Sequence, residues 1–348
     1  MTTVAEVVDA VVGGDTHADT HTLQIALPSS VELATATFRN TPAGLAEAVA
    51  WIVEHAPGPR VVVGLEGTRS YGVALERVLS AAGMPVVEVE RPDRKDRCGK
   101  GKSDPVDARH AVLRVLAMDA AKLPTPRADG DREALRILLV ARRDLTLNKT
   151  SWSNQLVALL RGGSDEDRAL LSIPWTHTAL ERVLRCQHLP GQSREDVIRR
   201  EEAQRLARAI LTAEADLKTN NRQLAGLTGD LAPGLTDRVG IGPVSAAQAL
   251  VTHSHPGRIH SEAAFAALAG ASPLEASSGK VIRHRLNRGG DRAMNRSLHD
   301  IAKTRMRYDP RTIAYVNRRR AEGKTDREIR RCLKRYIARE LFRTLDNP

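Results

Sequence analysis

The stretch VDAVVGGDTHADTHTLQIALP, Val8–Pro28, holds two apolar runs, Val8–Thr16 and His21–Pro28, on either side of a polar Ala18-Asp19-Thr20 turn. Short β-rich runs broken by such a turn predict a hairpin. Working outward, Ala34–Arg39 supplies a third strand. Thr41–His55 has helical periodicity, with Thr41 placed to cap it and Pro42 at its first position. RVVVGLEG, Arg60–Gly67, is a nearly continuous Val/Leu run bounded by Pro59 and Gly67, the pattern of a buried strand. A helix over Tyr71–Ala82, a strand over Pro85–Arg91 and a helix from Pro105 to about Ala120 follow. The order β-β-β-α-β-α-β-α predicts a mixed sheet flanked by helices.

The middle of the chain changes character. Asp131–Leu160 and Ser193–Leu227 are long, charged, Leu/Ala-rich segments without strand signals, read as two helices of a coiled-coil hairpin or dimerisation arm. Pro124 and Pro126 precede the first and Pro233 follows the second. From Thr236 the pattern is of short helices. Within it RVGIGPVSAAQAL, Arg238–Leu250, has a Gly-x-Gly turn feeding a helix through Pro243. Such a turn suits either a DNA phosphate against outward N–H groups or an ordinary helix–helix connection. The expected architecture is therefore α/β plus all-α: a mixed-sheet domain over residues 1–125, a helical middle over 126–230 and a mostly helical C-terminal domain over 231–348.

Aromatic residues make up only 3% of the chain, so base stacking is excluded as the main mode of nucleic-acid binding. The net charge of +11 is unevenly placed: residues 281–345 carry 20 Lys and Arg against 7 Asp and Glu. A basic block at one end points to a polyanion, nucleic acid first. Its other explanation is a solvated face laced with salt bridges. Cys98, Cys186 and Cys332 are scattered, without CxxC spacing, which argues against a zinc site or disulfide framework. Neither a signal peptide nor an apolar run of membrane-spanning length is read, and a cytoplasmic location is expected.

Four acids fall at element ends. Asp15 closes the first strand and Glu66 the fourth; as parallel neighbours those strands bring both carboxylates to one sheet edge. Asp104 and Asp107 open the following helix at i, i+3 and share a face. Converging carboxylates repel unless cations neutralise them, and hard oxygen ligands suit Mg²⁺, with Mn²⁺ as an alternative. Each acid also has a plainer role open to it. Asp104-Pro105-x-Asp107 is a good helix start, Asp15 suits a turn cap, and Glu66 suits a strand end. Asp15, His17 and His21 suggest a transition-metal site only weakly, since no further ligands cluster with them in the sequence.

The segments VVGGDTHADTH, VVVGLEGTRSYG and KGKSDPVDARHAVLRVL resemble the N-terminal domain of the DEDD transposases of the insertion-sequence 110 family. That domain is RuvC-like, with an RNase H-like fold, which agrees with the element order above. The resemblance implies that the family's Asp, Glu, Asp, Asp set falls on Asp15, Glu66, Asp104 and Asp107, as metal ligands. AALAGASPLEASSGKVIRHRLNRGGDRAMNRSLHDIA, Ala266–Ala302, is similar to the family's C-terminal transposase domain. The resemblance places the family's serine nucleophile on Ser278.

The chemistry is coherent on its own terms. A serine attacking a DNA phosphodiester needs an exposed loop and cations to hold the phosphate. Ser278 lies in an SSG loop followed by Lys280, Arg283, Arg285, Arg288 and Arg292. The plainer account is a polar turn with arginines that bind phosphate passively. Arg318, Arg319 and Arg320 are further candidates for nucleic-acid contact. What the resemblance implies is a transposase that breaks and rejoins DNA, guided by a structured bridge RNA and acting as a homodimer or a dimer of dimers on DNA. A junction-resolving metal nuclease and a non-catalytic nucleic-acid-binding protein stand as alternatives.

Overall fold

The computed structural model describes residues 2–89, 104–172, 176–187, 191–275, 277, 284–285 and 289–346. They divide into two compact units. The first holds the segments up to Ala128 together with Ser254–Ser261, and the second holds Asp129–His253 with Glu262 onward.

In the first unit, β1 (Ala10–Thr16), β2 (Thr20–Ala26) and β3 (Glu32–Arg39) form an antiparallel meander. Helix α1 (Pro42–His55) follows, with the Thr41 hydroxyl accepting from the Gly44 N–H and Pro42 at the first position, as the sequence predicts. Then come β4 (Val61–Leu65), α2 (Val73–Ala81), β5 (Val86–Glu88) and α3 (Asp104–Leu116). The strand order is β3-β2-β1-β4-β5, with β4 and β5 parallel to their neighbours, a mixed RNase H-like sheet.

Strand alternation divides the core between the two faces. Val12, Val63 and Leu65 pack with Leu45 and Ile52 of α1 and Leu75 and Leu79 of α2. Val11 and Val62 pack on the other face with Val112 and Val115 of α3. The central strands β1 and β4 are thus apolar on both sides, which is why their sequences read as continuous runs rather than alternating ones. Residues 254–261 are tied to this unit. The Ala128 N–H donates to Ser254 Oγ (2.8 Å), and Arg258 pairs with Glu88 (3.3 Å).

The second unit is built on a long antiparallel helix pair, α4 (Asp131–Arg161) and α7 (Arg194–Leu231). The pairing direction follows from contacts running opposite ways along the chain. Asn220 Nδ2 donates to the Leu138 carbonyl, Lys149 pairs with Glu214, and Arg199 donates to the Leu159 carbonyl. Between them, α5 (Asp165–Ala169) and α6 (His177–Arg185) close one end over Leu156, Leu160, Leu206 and Ile210. A buried Arg200–Asp167 ion pair (3.1 Å) pins α5 to α7.

The remaining elements are α8 (Pro243–His253), α9 (Glu262–Leu268), a two-stranded ribbon of β6 (Leu274–Glu275) and β7 (His284–Arg285), α10 (Arg292–Tyr308), α11 (Pro310–Ala321) and α12 (Asp326–Asp346). Their core includes Phe265, Leu298, Ile301, Ile329, Ile337 and Leu341, all buried. The ribbon was not expected from the short-helix pattern, because two-residue strands carry no periodicity to detect. At the Gly-x-Gly turn, Gly240 is left-handed (φ 83°), and a Cβ there would lie 3.0 Å from the Ile301 carbonyl oxygen. Close packing on α10 therefore accounts for that glycine, and the Gly242 N–H is already taken by Ser245 Oγ. Among the described residues, no helix is long and apolar enough to cross a membrane.

Candidate active site

The geometry at the end of β1 starts from a missing side chain. A Cβ on Gly13 would sit 2.1 Å from the Ala108 carbonyl oxygen and 2.6 Å from the Val112 nitrogen. A Cβ on Gly64 of β4 would sit 2.3 Å from Val115 Cγ2. Glycine at these positions lets α3 lie directly on the sheet backbone, closer than any side chain permits. The first turn of α3 then falls beside the C-terminal end of β1, and Asp104 meets Asp15.

Asp15 is buried at 8% exposure. His17 stands two residues further on, and strand alternation sends it to the same face. Its Nε2 lies 3.1 Å from Asp15 Oδ2 and 3.5 Å from Asp104 Oδ1. One ligand atom from each of Asp15, His17 and Asp104 lies within 4.8 Å of the others. Burial pushes the Asp15 carboxyl above its usual range. His17 works against that shift, while the charges of Asp107 and Asp104 add to it.

These donors fit a divalent cation. Ligands on opposite sides of an octahedral ion with bonds of about 2.1 Å stand roughly 4.2 Å apart. The 3.1 and 3.5 Å separations of His17 Nε2 from the two carboxylates fall inside that span, and the full set, within 4.8 Å, needs only a small side-chain adjustment to share one ion. A cation there would also relieve the repulsion that raises Asp15. The imidazole nitrogen widens the choice of metal beyond the all-oxygen set expected from sequence.

Glu66 follows β4, whose Leu65 pairs with Gly14, so it stands level with Asp15 on the neighbouring strand. Thr16 Oγ1 donates to the Glu66 carbonyl (2.8 Å) and locks the two strand ends together. The Glu66 carboxylate and that of Asp107 are outside the three-atom cluster, although Asp107 is close enough to raise Asp15 electrostatically. His17 is the residue that the sequence reading set aside. The i, i+2 spacing from Asp15 on a strand was the available signal, and what hid it was the missing partner, Asp104, nearly ninety residues away.

Of the C-terminal candidates, Ser278, Lys280, Arg283 and Arg288 lie outside the described residues. Ser277 and Arg285 are exposed at the ribbon, and Arg292 is exposed in the first turn of α10, whose N-cap is Asp291. Arg318, Arg319 and Arg320 close α11. Arg319 pairs with Glu322 (2.5 Å), Arg320 with Asp326 (2.9 Å) and Arg318 more loosely with Glu322 (3.8 Å).

An RNase H-like sheet with acids gathered at the end of its first strand defines the class. Two family models match the chain: a DEDD transposase of IS110 type over residues 12–163, and the family described as "Transposase IS116/IS110/IS902 family" over residues 234–317. The chain is also similar to the "Insertion element IS110 uncharacterized 43.6 kDa protein" of Streptomyces coelicolor, 35% identical over 116 residues. That match covers 33% of this chain and 29% of the relative. The protein belongs to the IS110 family of DEDD transposases.

Proposed function

We propose that the protein breaks and rejoins DNA strands of a mobile element, with Ser278 as nucleophile and the acids at the β1–α3 junction as its metal site. The observation that carries the proposal is the cluster of Asp15, His17 and Asp104 at the sheet edge of a chain that belongs to this family. Asp15 and Asp104 would hold the cation, Mg²⁺ by choice of its carboxylates, with His17 at the third position and Glu66 and Asp107 adding negative charge around it. The bound cation would supply charge neutralisation at the scissile phosphate.

In the proposed reaction Ser278 Oγ attacks phosphorus and loses its proton as the bond to one strand oxygen breaks. That oxygen leaves as a free hydroxyl, having gained a proton, and the strand remains joined to the enzyme as a phosphoserine ester. Because one phosphoester replaces another, reversal by a second strand's hydroxyl needs no external energy source. The partners proposed are element and target DNA and a structured bridge RNA, the active form being a homodimer or a dimer of dimers. A cytoplasmic location goes with them.

The test uses suicide DNA substrates with the recombinant protein and its candidate guide RNA. Ser278→Ala should abolish both cleavage and the covalent adduct while nucleic-acid binding persists. Ser277→Ala, one residue away and chemically identical, should keep most activity. Efficient metal-dependent cleavage by the Ser277→Ala, Ser278→Ala double variant, leaving free ends, would instead establish the hydrolytic nuclease.

A further inference from the structure

The helix α12 carries two kinds of cation. Arg339 and Arg343 both pair with Glu262. Arg327, Arg330, Arg331 and Lys334 lie at i, i+3, i+4 and i+7, on one stripe of the helix. Among the described residues none of these four has a carboxylate within ion-pair distance. The partners in this region are neutral: Lys334 Nζ donates to Asn295 Oδ1 (2.6 Å), Arg330 Nε to the Asp326 carbonyl (3.1 Å) and the neighbouring Arg335 to Ser272 Oγ (2.9 Å).

This stripe walls two adjoining cavities. One, of about 380 Å³, is lined on its charged side by all four residues and by His299 of α10, with no carboxylate among the described lining residues. The other, of about 500 Å³, shares Arg331 and adds Lys324, Arg335 and Arg319, the last already paired with Glu322. Among the described residues its one acid is Glu328, which accepts from the N–H and hydroxyl of Thr325 and feels the charges of Lys324 and Arg331. The opposite wall is apolar, Ala271 and Pro273, and common to both.

The wall is held rigidly. Asn295 Nδ2 donates to the carbonyls of Ala269 and Gly270, while its oxygen receives Lys334. Gly290 lies so near that a Cβ would be 2.6 Å from the Leu268 carbonyl oxygen. Hydrogen bonds thus hold Lys334 and Arg330 in a half-enclosed space, which Arg327 and Arg331 line from exposed positions. Burial and the nearby Arg292 lower the Lys334 ammonium below its usual range. Burial, Lys334 and Arg330 do the same to His299, with Asp300 opposing. Such an arrangement costs stability in the free protein and is relieved by an anion.

We infer that these adjoining cavities bind phosphates of a single nucleic-acid strand, with Arg331 shared between them. Planar guanidinium groups suit the oxygens of a phosphodiester, and the Ala271–Pro273 wall offers an apolar surface to the sugar. Pockets of this size admit individual sugar–phosphate units. A duplex, whose major groove alone is about 12 Å wide, would meet only their rims. The inference rests on the nucleic-acid partner proposed above, but not on Ser278 or the metal site.

The test measures binding of the full chain to a fluorescent single-stranded oligonucleotide of mixed sequence and to its duplex, by anisotropy across a salt series. The Arg327→Gln, Arg330→Gln, Arg331→Gln variant should bind the single strand roughly tenfold or more weakly, with the slope of log K against log salt reduced by about 2. Duplex affinity should change much less. A charge-matched variant on the exposed side of α7, Arg205→Gln, Arg208→Gln, Arg222→Gln, should show a smaller loss on the single strand. The unfolding curve of the α7 variant should overlay the wild type, and the α12 variant, relieved of like-charge repulsion, should be no less stable than wild type. Unchanged affinity and slope in the α12 variant, or equal losses from both variants, would overturn the assignment while leaving the proposed function standing. Absence of nucleic-acid binding by the wild type would overturn both.

Discussion

The β1–α3 junction and the α12 stripe each concentrate charge of one sign, and they do so by different means. At the junction, backbone proximity forces the issue: Gly13 admits α3 to the sheet, and Asp104 arrives beside a buried Asp15. A protonatable His17 sits between the two carboxylates and offsets part of the repulsion. Along α12 the helix repeat aligns cations on one stripe, and acids elsewhere in the unit are already committed to other arginines. Glu340 accepts from Arg305 and Arg238, Glu262 from Arg339 and Arg343, and Glu322 from Arg319. An excess of charge in the sequence is therefore a poor guide to charge available for a ligand; the distribution of counter-ions decides.

The largest effect is expected at Asp15. Asp15→Asn keeps the volume and removes the charge, so DNA strand exchange should fall on the order of a thousandfold or to background. The folded-state pKa of Asp15 is raised, so its ionised form is disfavoured by the metal-free fold. An acid shifted in this sense contributes stability below its unfolded pKa and loses it as pH rises through the folded value. Metal-free Asp15→Asn should consequently unfold no more easily than wild type at neutral pH. A variant that is inactive because it is unfolded would break the comparison.

Gly13→Ala tests whether proximity makes the site. The added methyl meets helix backbone, which has no rotamer to escape into, and should cost about 3 kcal/mol in chemical denaturation. It should also weaken Mn²⁺ binding, because α3 carries Asp104. Loss of stability with metal affinity intact would mean that the helix shifts without taking the acid with it.

His17→Gln sharpens the account of the ligands. It removes a nitrogen donor but leaves both carboxylates, and Mn²⁺ affinity measured by calorimetry should drop roughly ten- to a hundredfold. Unchanged affinity would assign the ion to the carboxylates alone, with Glu66 or Asp107 completing the set.

The smallest effect belongs to the compensated charges. Burial would raise the Glu340 carboxyl, yet the hydrogen bonds and charges of Arg305 and Arg238 outweigh it and hold the group below its usual range. A lowered folded pKa contributes stability above the unfolded carboxylate range and loses it as pH falls through the folded value. Its side chain is 33% exposed, so water screens the interaction and Glu340→Gln should cost only about 1 kcal/mol at pH 7. That cost should shrink as pH falls through the lowered folded pKa, where the wild-type carboxylate is itself protonated. A deficit independent of pH would show that packing rather than charge is at stake.

Much of this molecule is legible along the chain. The hairpin, the capped start of α1 at Thr41-Pro42, the buried run of β4 and the two long helices follow from local patterns that depend on neighbours within a few residues. Those patterns express backbone geometry, periods of two and 3.6 residues, and caps, which the sequence carries in itself. Asp15 and Asp104 were recognisable as acids at element ends. Tertiary structure alone decided that His17 joins them, because the encounter depends on how closely α3 settles on Gly13 and Gly64. It also decided which arginines are occupied. Arg319 and Arg331 look alike in the basic block and both line a cavity, yet among the described residues one is paired with Glu322 and the other has no carboxylate within ion-pair distance. Electrostatic partnership is set by distances between elements far apart in the chain, and no local pattern encodes those distances.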